Sequence, residues 1–154
     1  MGKILAIYFS SKKGTARKKI KEGMLRRNYG LLKDAHAGPG KRQVSLFLRE
    51  NLEEMREKGL KVGCSGFGEN FTISGIKITS LAIRTKLKVG KAVLEITQIG
   101  KTCKKPCKFY PVPLCPDKVD RKKKRCFLSS RGIFARVLKG GLVRKGEPTE
   151  IIRS

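Results

Sequence analysis

At 154 residues, 39% of them hydrophobic, the chain fits one domain with one core over residues 1–154, and disorder is excluded as the default despite a charged fraction of 32%. Lys and Arg total 37 against 12 Asp and Glu, a net charge of +25. This predicts attraction to polyanions such as nucleic acid or phosphate-bearing ligands, and it equally fits a lysine-rich surface selected for solubility or heat tolerance. No run approaches the roughly 18 apolar residues of a membrane span. The apolar run within Met1–Phe9 is shorter than a signal-peptide core, so a buried first strand and a cytoplasmic location are expected. The five cysteines, an odd number, argue against a disulfide framework and for reduced thiols.

Residues 4–9 read as a strand buried on both faces, and the Lys-rich residues 11–22 as a loop or solvated edge. Glycines and a proline make residues 30–44 irregular. A helix is expected from Ser45, with Leu48, Leu52 and Met55 on one face, Arg49 and Glu53 four apart, and Gly59 as its stop. Residues 71–73 and 76–79 read as short strands. Residues 81–89 alternate apolar and polar, Gly90-Lys91 is a turn, and 92–99 is the return strand of a hairpin. Residues 133–138 fit strand or helix, and 142–145 a further strand. Short strands with Gly-rich turns and one helix predict a mostly-β, barrel-like domain. Four prolines break up 104–126, and the run Arg121-Lys122-Lys123-Lys124-Arg125 is either a solvated loop or an anion site.

Three segments concentrate chemistry. Residues 34–43 bring Asp34, the only histidine His36, Arg42 and Gln43 together ahead of the expected helix start. A helix N-terminus beside an arginine is a natural anion site, and an imidazole there transfers protons or holds a ligand. The same residues also fit a loop whose Asp and Gln satisfy backbone groups. Glu69 and Asn70, between Phe67 and Phe71, read alone as a turn. In Gln98-Ile99-Gly100-Lys101-Thr102-Cys103 a strand leads to a loop carrying Cys103 among Lys101, Lys104 and Lys105. Positive neighbours favour the thiolate, the form that reacts and ligates metals; the alternative is a small buried hydrophobe. Cys103, Cys107, Cys115 and Cys126 are a candidate zinc set, but their spacings lack paired short knuckles. There is no P-loop, dinucleotide glycine fingerprint or His-Glu-x-x-His.

As an ordered set, Asp34-Ala35-His36-Ala37-Gly38, Arg42-Gln43-Val44-Ser45-Leu46, Glu69-Asn70, Val93 to Lys101 with Cys103, and Gly132 to Gly141 resemble a stand-alone member of the MOSC family, the molybdenum-cofactor sulfurase C-terminal domain. The resemblance implies a mostly-β barrel with one principal helix and short additional helical turns. It also implies a link to the molybdenum cofactor (molybdopterin), a phosphorylated pterin with a dithiolene. Cys103 matches the family cysteine that carries sulfur as a persulfide or ligates molybdenum. Some relatives reduce N-hydroxylated compounds. Others are joined to a pyridoxal-phosphate cysteine desulfurase domain, which is missing here, so pyridoxal phosphate is not expected and a sulfur donor would be a separate protein. Lys41 stands where relatives often have His, and Ser129-Ser130-Arg131 where a Pro-Arg-Glu is common. The expected site is thus Cys103 as reactive residue and molybdenum ligand, with Asp34, His36, Arg42, Gln43, Glu69, Asn70 and Lys101 around the cofactor. The expected partners are a sulfur donor such as a cysteine desulfurase and an electron-transfer protein, with no membrane. The rival reading is a basic barrel binding nucleic acid without catalysis, against which the scattered aromatics, 6% of the chain, count.

Overall fold

The computed structural model describes residues 2–12, 17–57, 69–100 and 131–152. The first apolar run forms β1 (Gly2–Phe9), with Ile4, Ala6, Ile7 and Tyr8 buried. The Lys-rich stretch after it supplies an exposed edge strand, β2 (Lys18–Ile20), then β3 (Glu22–Arg26) and the brief β4 (Gly30–Leu31). Next come β5 (Val44–Leu48), α1 (Arg49–Glu57) and β6 (Phe71–Ser74), then a 3-10 turn at Ile78–Ser80. The predicted hairpin follows as β7 (Lys86–Val89) and β8 (Ala92–Ile99), with Gly90 at φ 59° in its turn. The chain closes with β9 (Ile133–Lys139), β10 (Gly141–Arg144) and β11 (Pro148–Ile152).

Eight strands run in the order β11-β7-β8-β9-β5-β6-β1-β2, and β11 also pairs with β1 through Gly2 and Thr149. That second pairing closes all but β2 into a barrel, which removes the exposed edges an open sheet would carry. The barrel is mixed, because β5 and β6 run parallel while its other pairings are antiparallel. Parallel neighbours need a crossover, and α1 falls in that connection, packing against both strands. The alternate side chains Ala92, Leu94 and Ile96 of β8 point inward and meet Leu46, Leu48, Phe71, Ile73, Ile133 and Ala135 in the core. On the barrel wall Arg136 pairs with Glu95 directly across from it, at 2.6 Å. A smaller sheet, β10-β3-β4, adds Leu25, Leu31 and Val143 to the same core.

Three expectations change. Ser45 does not open a helix: all five residues of β5 are buried, and the strand is paired on both sides. A surface helix needs a solvated face, and none exists here until Arg49. The apolar periodicity running back to Leu48 therefore joined the last residue of a strand to a helix. The Arg49–Glu53 pair is present at 2.8 Å, while Gly59 and the side chain of Met55 lie outside the described residues. Residues 76–79 are not a strand but lead into the 3-10 turn. The alternation over 81–89 is strand only from Lys86. Before it, Thr85 Oγ1 accepts from the Ala82 backbone N–H and Arg84 adopts φ 76°, so the chain turns there.

Gly30 fixes how the 34–43 segment lies against the barrel. Its φ is 124°, and a Cβ would stand 2.4 Å from the Gln43 carbonyl oxygen. Gly30→Ala is expected to cost about 2–4 kcal/mol, read as a lower urea midpoint at unchanged m. An unchanged midpoint would contradict this reading of the turn.

Candidate functional site

One end of the barrel collects the last residues of β1 and the first residues of β5 and β6. Asn70, just before β6, is buried there. Its Nδ2 donates to the Tyr8 carbonyl and to Asp34 Oδ2, both at 3.2 Å. Its Oδ1 accepts from the Ser45 backbone N–H at 3.0 Å and from Ser45 Oγ at 3.3 Å. Every donor of the carboxamide and its acceptor are used, which ties β1, β5 and the 34–43 segment to a single side chain.

Asp34 is the second fixed point, with a side chain that is 0% exposed. Its Oδ1 accepts from the Ser10 backbone N–H at 3.0 Å and from Arg17 Nη1 at 3.2 Å. A buried carboxylate persists only when paired and hydrogen-bonded, so Arg17, itself 10% exposed, is drawn in against it. The other arm of that guanidinium, Nη2, lies 3.2 Å from Nδ1 of the exposed His36. A guanidinium can only donate, so Nδ1 accepts and the ring proton sits on Nε2. The segment thus converts a buried charge into a held arginine and a held imidazole at the surface.

Arg42 is positioned separately. Its guanidinium stands 4.6 Å from the centroid of Phe134, and its Nε donates to Gln98 Oε1 at 3.1 Å. Gln98 in turn donates to the Gly100 carbonyl at 2.8 Å. The register of β8 against β9 shifts between Ile96 and Gln98, and this bulge turns Thr97 Oγ1 onto the Lys41 carbonyl. The backbone before Arg42 and its side chain are both held by the end of β8. Nη1 and Nη2 of Arg42 have no partner among the described residues.

The other expected residues divide. Gln43 turns away from this group: its Nε2 donates to Asn28 Oδ1 at 2.8 Å and its Oε1 accepts from the Val137 N–H at 2.9 Å. Glu69 is buried beside Asn70, with Oε2 accepting from Thr72 Oγ1 at 2.9 Å. Cys103 and Lys101 lie outside the described residues, as do the other four cysteines. The expected anion site at a helix N-terminus after Arg42 does not form, because a strand follows. Among the described residues no group of three or more His, Cys, Asp and Glu is gathered in metal-ligating fashion.

Sequence reasoning missed Arg17, Ser10, Ser45 and Gln98. For Arg17 a signal existed: it is the one arginine in the lysine-rich residues 11–22. A planar fork suits a two-sided contact that a lysine cannot make. Ser10, Ser45 and Gln98 carry no such mark, since their roles depend on strands brought together from distant parts of the chain.

A closed mixed barrel with a buried polar cluster at one end defines the class of protein. The MOSC domain model matches residues 33–150, and the chain belongs to that family, which is associated with the molybdenum cofactor. No curated protein matches the sequence. Among solved structures, YiiM from Geobacillus stearothermophilus is similar with a TM-score of 0.70 at 16% identity, over 99% of this chain and 76% of that one. The YuaD protein from Bacillus subtilis gives 0.67 at 18%, over 98% and 96%. YiiM from Escherichia coli gives 0.64 at 17%, over 98% and 70%. At such identities these likenesses establish the fold. No helix among the described residues is long and apolar enough to cross a membrane.

The Asn70–Asp34 contact yields a charge-swap test. Asn70→Asp sets a second carboxylate against Asp34 and is expected to cost about 3 kcal/mol or more. Adding Asp34→Asn should recover part of that loss, with a coupling of about 1 kcal/mol or more in the double-mutant cycle measured by urea unfolding. Simple additivity would remove the contact from the account.

Proposed function

We propose that this chain is a molybdenum-cofactor-associated protein whose barrel end binds the phosphorylated pterin and whose Cys103 thiol carries sulfur or ligates molybdenum. The observation that carries the reading is the buried Asp34, which holds Arg17 and through it His36 at the surface of that end. Arg42 adds a second guanidinium fixed in direction, with two nitrogens open among the described residues. The guanidinium fork of Arg42, with Arg17 and His36 held by Asp34, suits a phosphate and the polar edge of a pterin, so this donor set fits the group.

In this reading Arg42 binds phosphate, while Arg17 and His36 orient the pterin or the substrate. Asn70, Gln43 and Glu69 make bonds within the barrel framework and keep those donors in place. The family resemblance gives the sulfur ligand to Cys103, three residues along the chain from Gly100. Gln98 bonds both Arg42 and Gly100, which ties the phosphate-binding residue to the stem of the cysteine segment. Lys101, two residues before that cysteine, and Lys104 after it favour its thiolate. When bound, the cofactor would supply redox and sulfur-transfer chemistry at its metal and dithiolene. The chain's own part is to bind, orient and present a thiolate. Reduction of an N-hydroxylated compound would require an electron-transfer partner, and sulfur carriage a donor such as a cysteine desulfurase.

Protein isolated from its native host, analysed by intact mass, elemental analysis and pterin fluorescence, tests the proposal. Ligation predicts molybdenum and molybdopterin near stoichiometry, with the molybdenum lost in Cys103→Ser. Carriage predicts a gain of one sulfur atom's mass on the wild type and none on the variant. A wild type without molybdenum, pterin or added sulfur, or a Cys103→Ser protein that keeps all of them, would falsify it.

A further inference from the structure

The outer face of the small sheet β10-β3-β4 takes no part in the site described above. Antiparallel register sets Leu142 opposite Met24, and on the other side the Leu32 N–H donates to the Met24 carbonyl at 2.9 Å. Residues opposite one another on paired strands share a face. The alternate residues Leu25, Leu31 and Val143 point inward into the core. Met24, 42% exposed, Leu32, 38% exposed, and the half-buried Leu142 therefore form an apolar row across the three strands. Two strand spacings make this row about 10 Å long.

Charge borders the row on both sides. Toward one end of the strands, Arg144 pairs with Glu22 at 3.0 Å. Toward the other, the Arg26 guanidinium sits 5.8 Å from the centroid of the Tyr29 ring. Arg27, Lys33, Lys139 and Lys145, exposed on or next to these strands, make no ion pair with any described residue. Among the described residues of these three strands the one acidic group, Glu22, is already paired. The apolar row thus lies in a neighbourhood where exposed positive charge exceeds negative.

We propose that this face docks an acidic amphipathic helical segment of another protein, with its apolar stripe on Leu32, Met24 and Leu142 and its carboxylates among the exposed cations beside them. Apolar side chains at i, i+4 and i+7 of a helix span about 10.5 Å, which matches the row. Charge selects the occupant. A second copy of the chain brings another +25 and is repelled. Nucleic acid would engage the cations through its phosphates but leave the apolar row uncovered, and the Tyr29 ring is already faced by Arg26. A bilayer favours protruding aromatic side chains, whereas this row lies flat between long arginines.

The test titrates the full chain, by fluorescence anisotropy, into a labelled synthetic helical peptide with Leu at i, i+4 and i+7 and Glu at the flanking positions. A scrambled peptide of the same composition, phosphatidylglycerol vesicles and a single-stranded oligonucleotide serve as competitors. The expected result is binding of the patterned peptide about tenfold tighter than the scrambled one. Met24→Glu and Leu142→Ser should each reverse about tenfold of it, while Lys86→Glu on β7 leaves it unchanged. Where Met24→Glu lowers the thermal midpoint, Leu142→Ser and Arg26→Glu carry the comparison. Equal binding of both peptides, or row substitutions without effect, overturns the proposal. So does displacement of the patterned peptide by vesicles or oligonucleotide whose own binding falls with the row substitutions.

Discussion

The Asn70 side chain is bonded at once to the Tyr8 carbonyl of β1, to Ser45 of β5 and to the Asp34 carboxylate. The carboxamide bridges these three segments at that end of the barrel. The position demands a short planar group that donates on one side and accepts on the other. A carboxylate there would face both a carbonyl and another carboxylate, and an apolar side chain would strand the buried Ser45 amide. Because Asn70 holds Asp34, Asp34 can hold Arg17, and Arg17 can hold His36. The surface donors thus inherit their geometry from a buried group that itself touches no solvent.

Electrostatics explains why this arrangement suits an anionic ligand. Most of the chain's charge is scattered lysine, compact, strongly hydrated and mobile. Arg17 and Arg42 differ in being fixed, one by a buried ion pair and the other by a ring and an amide. A fixed guanidinium loses less freedom when it binds, so it discriminates by direction where a lysine field attracts any anion. The barrel's closure, with β11 returning to β1, gives both arginines a rigid frame.

Much of the fold was legible in the sequence. The strict alternation and the Gly90-Lys91 turn specified the β7–β8 hairpin, and the apolar run near the N-terminus specified β1, because local pattern and final burial agree there. Residues 44–48 misled because a strand covered on both faces and the first turn of a helix leave the same short apolar trace. The order of motifs was enough to reach the family. Grouping Asp34, His36, Glu69 and Asn70 captured the neighbourhood, yet nothing in one dimension told a surface donor such as His36 from a buried strut such as Asn70. Arg17 was hidden because a guanidinium aimed at a carboxylate 17 residues away is set by the closing of the barrel.

The central claim is that the fixed guanidinium of Arg42 binds the phosphate of the cofactor. Anaerobic calorimetric titration of the wild type and of Arg42→Ala with purified molybdenum cofactor measures it directly. Arg42 is exposed, so the variant should keep its unfolding midpoint. The variant is expected to bind with an affinity weaker by about tenfold or more, the size of one lost charge-assisted contact. Unchanged affinity in a folded variant would contradict it.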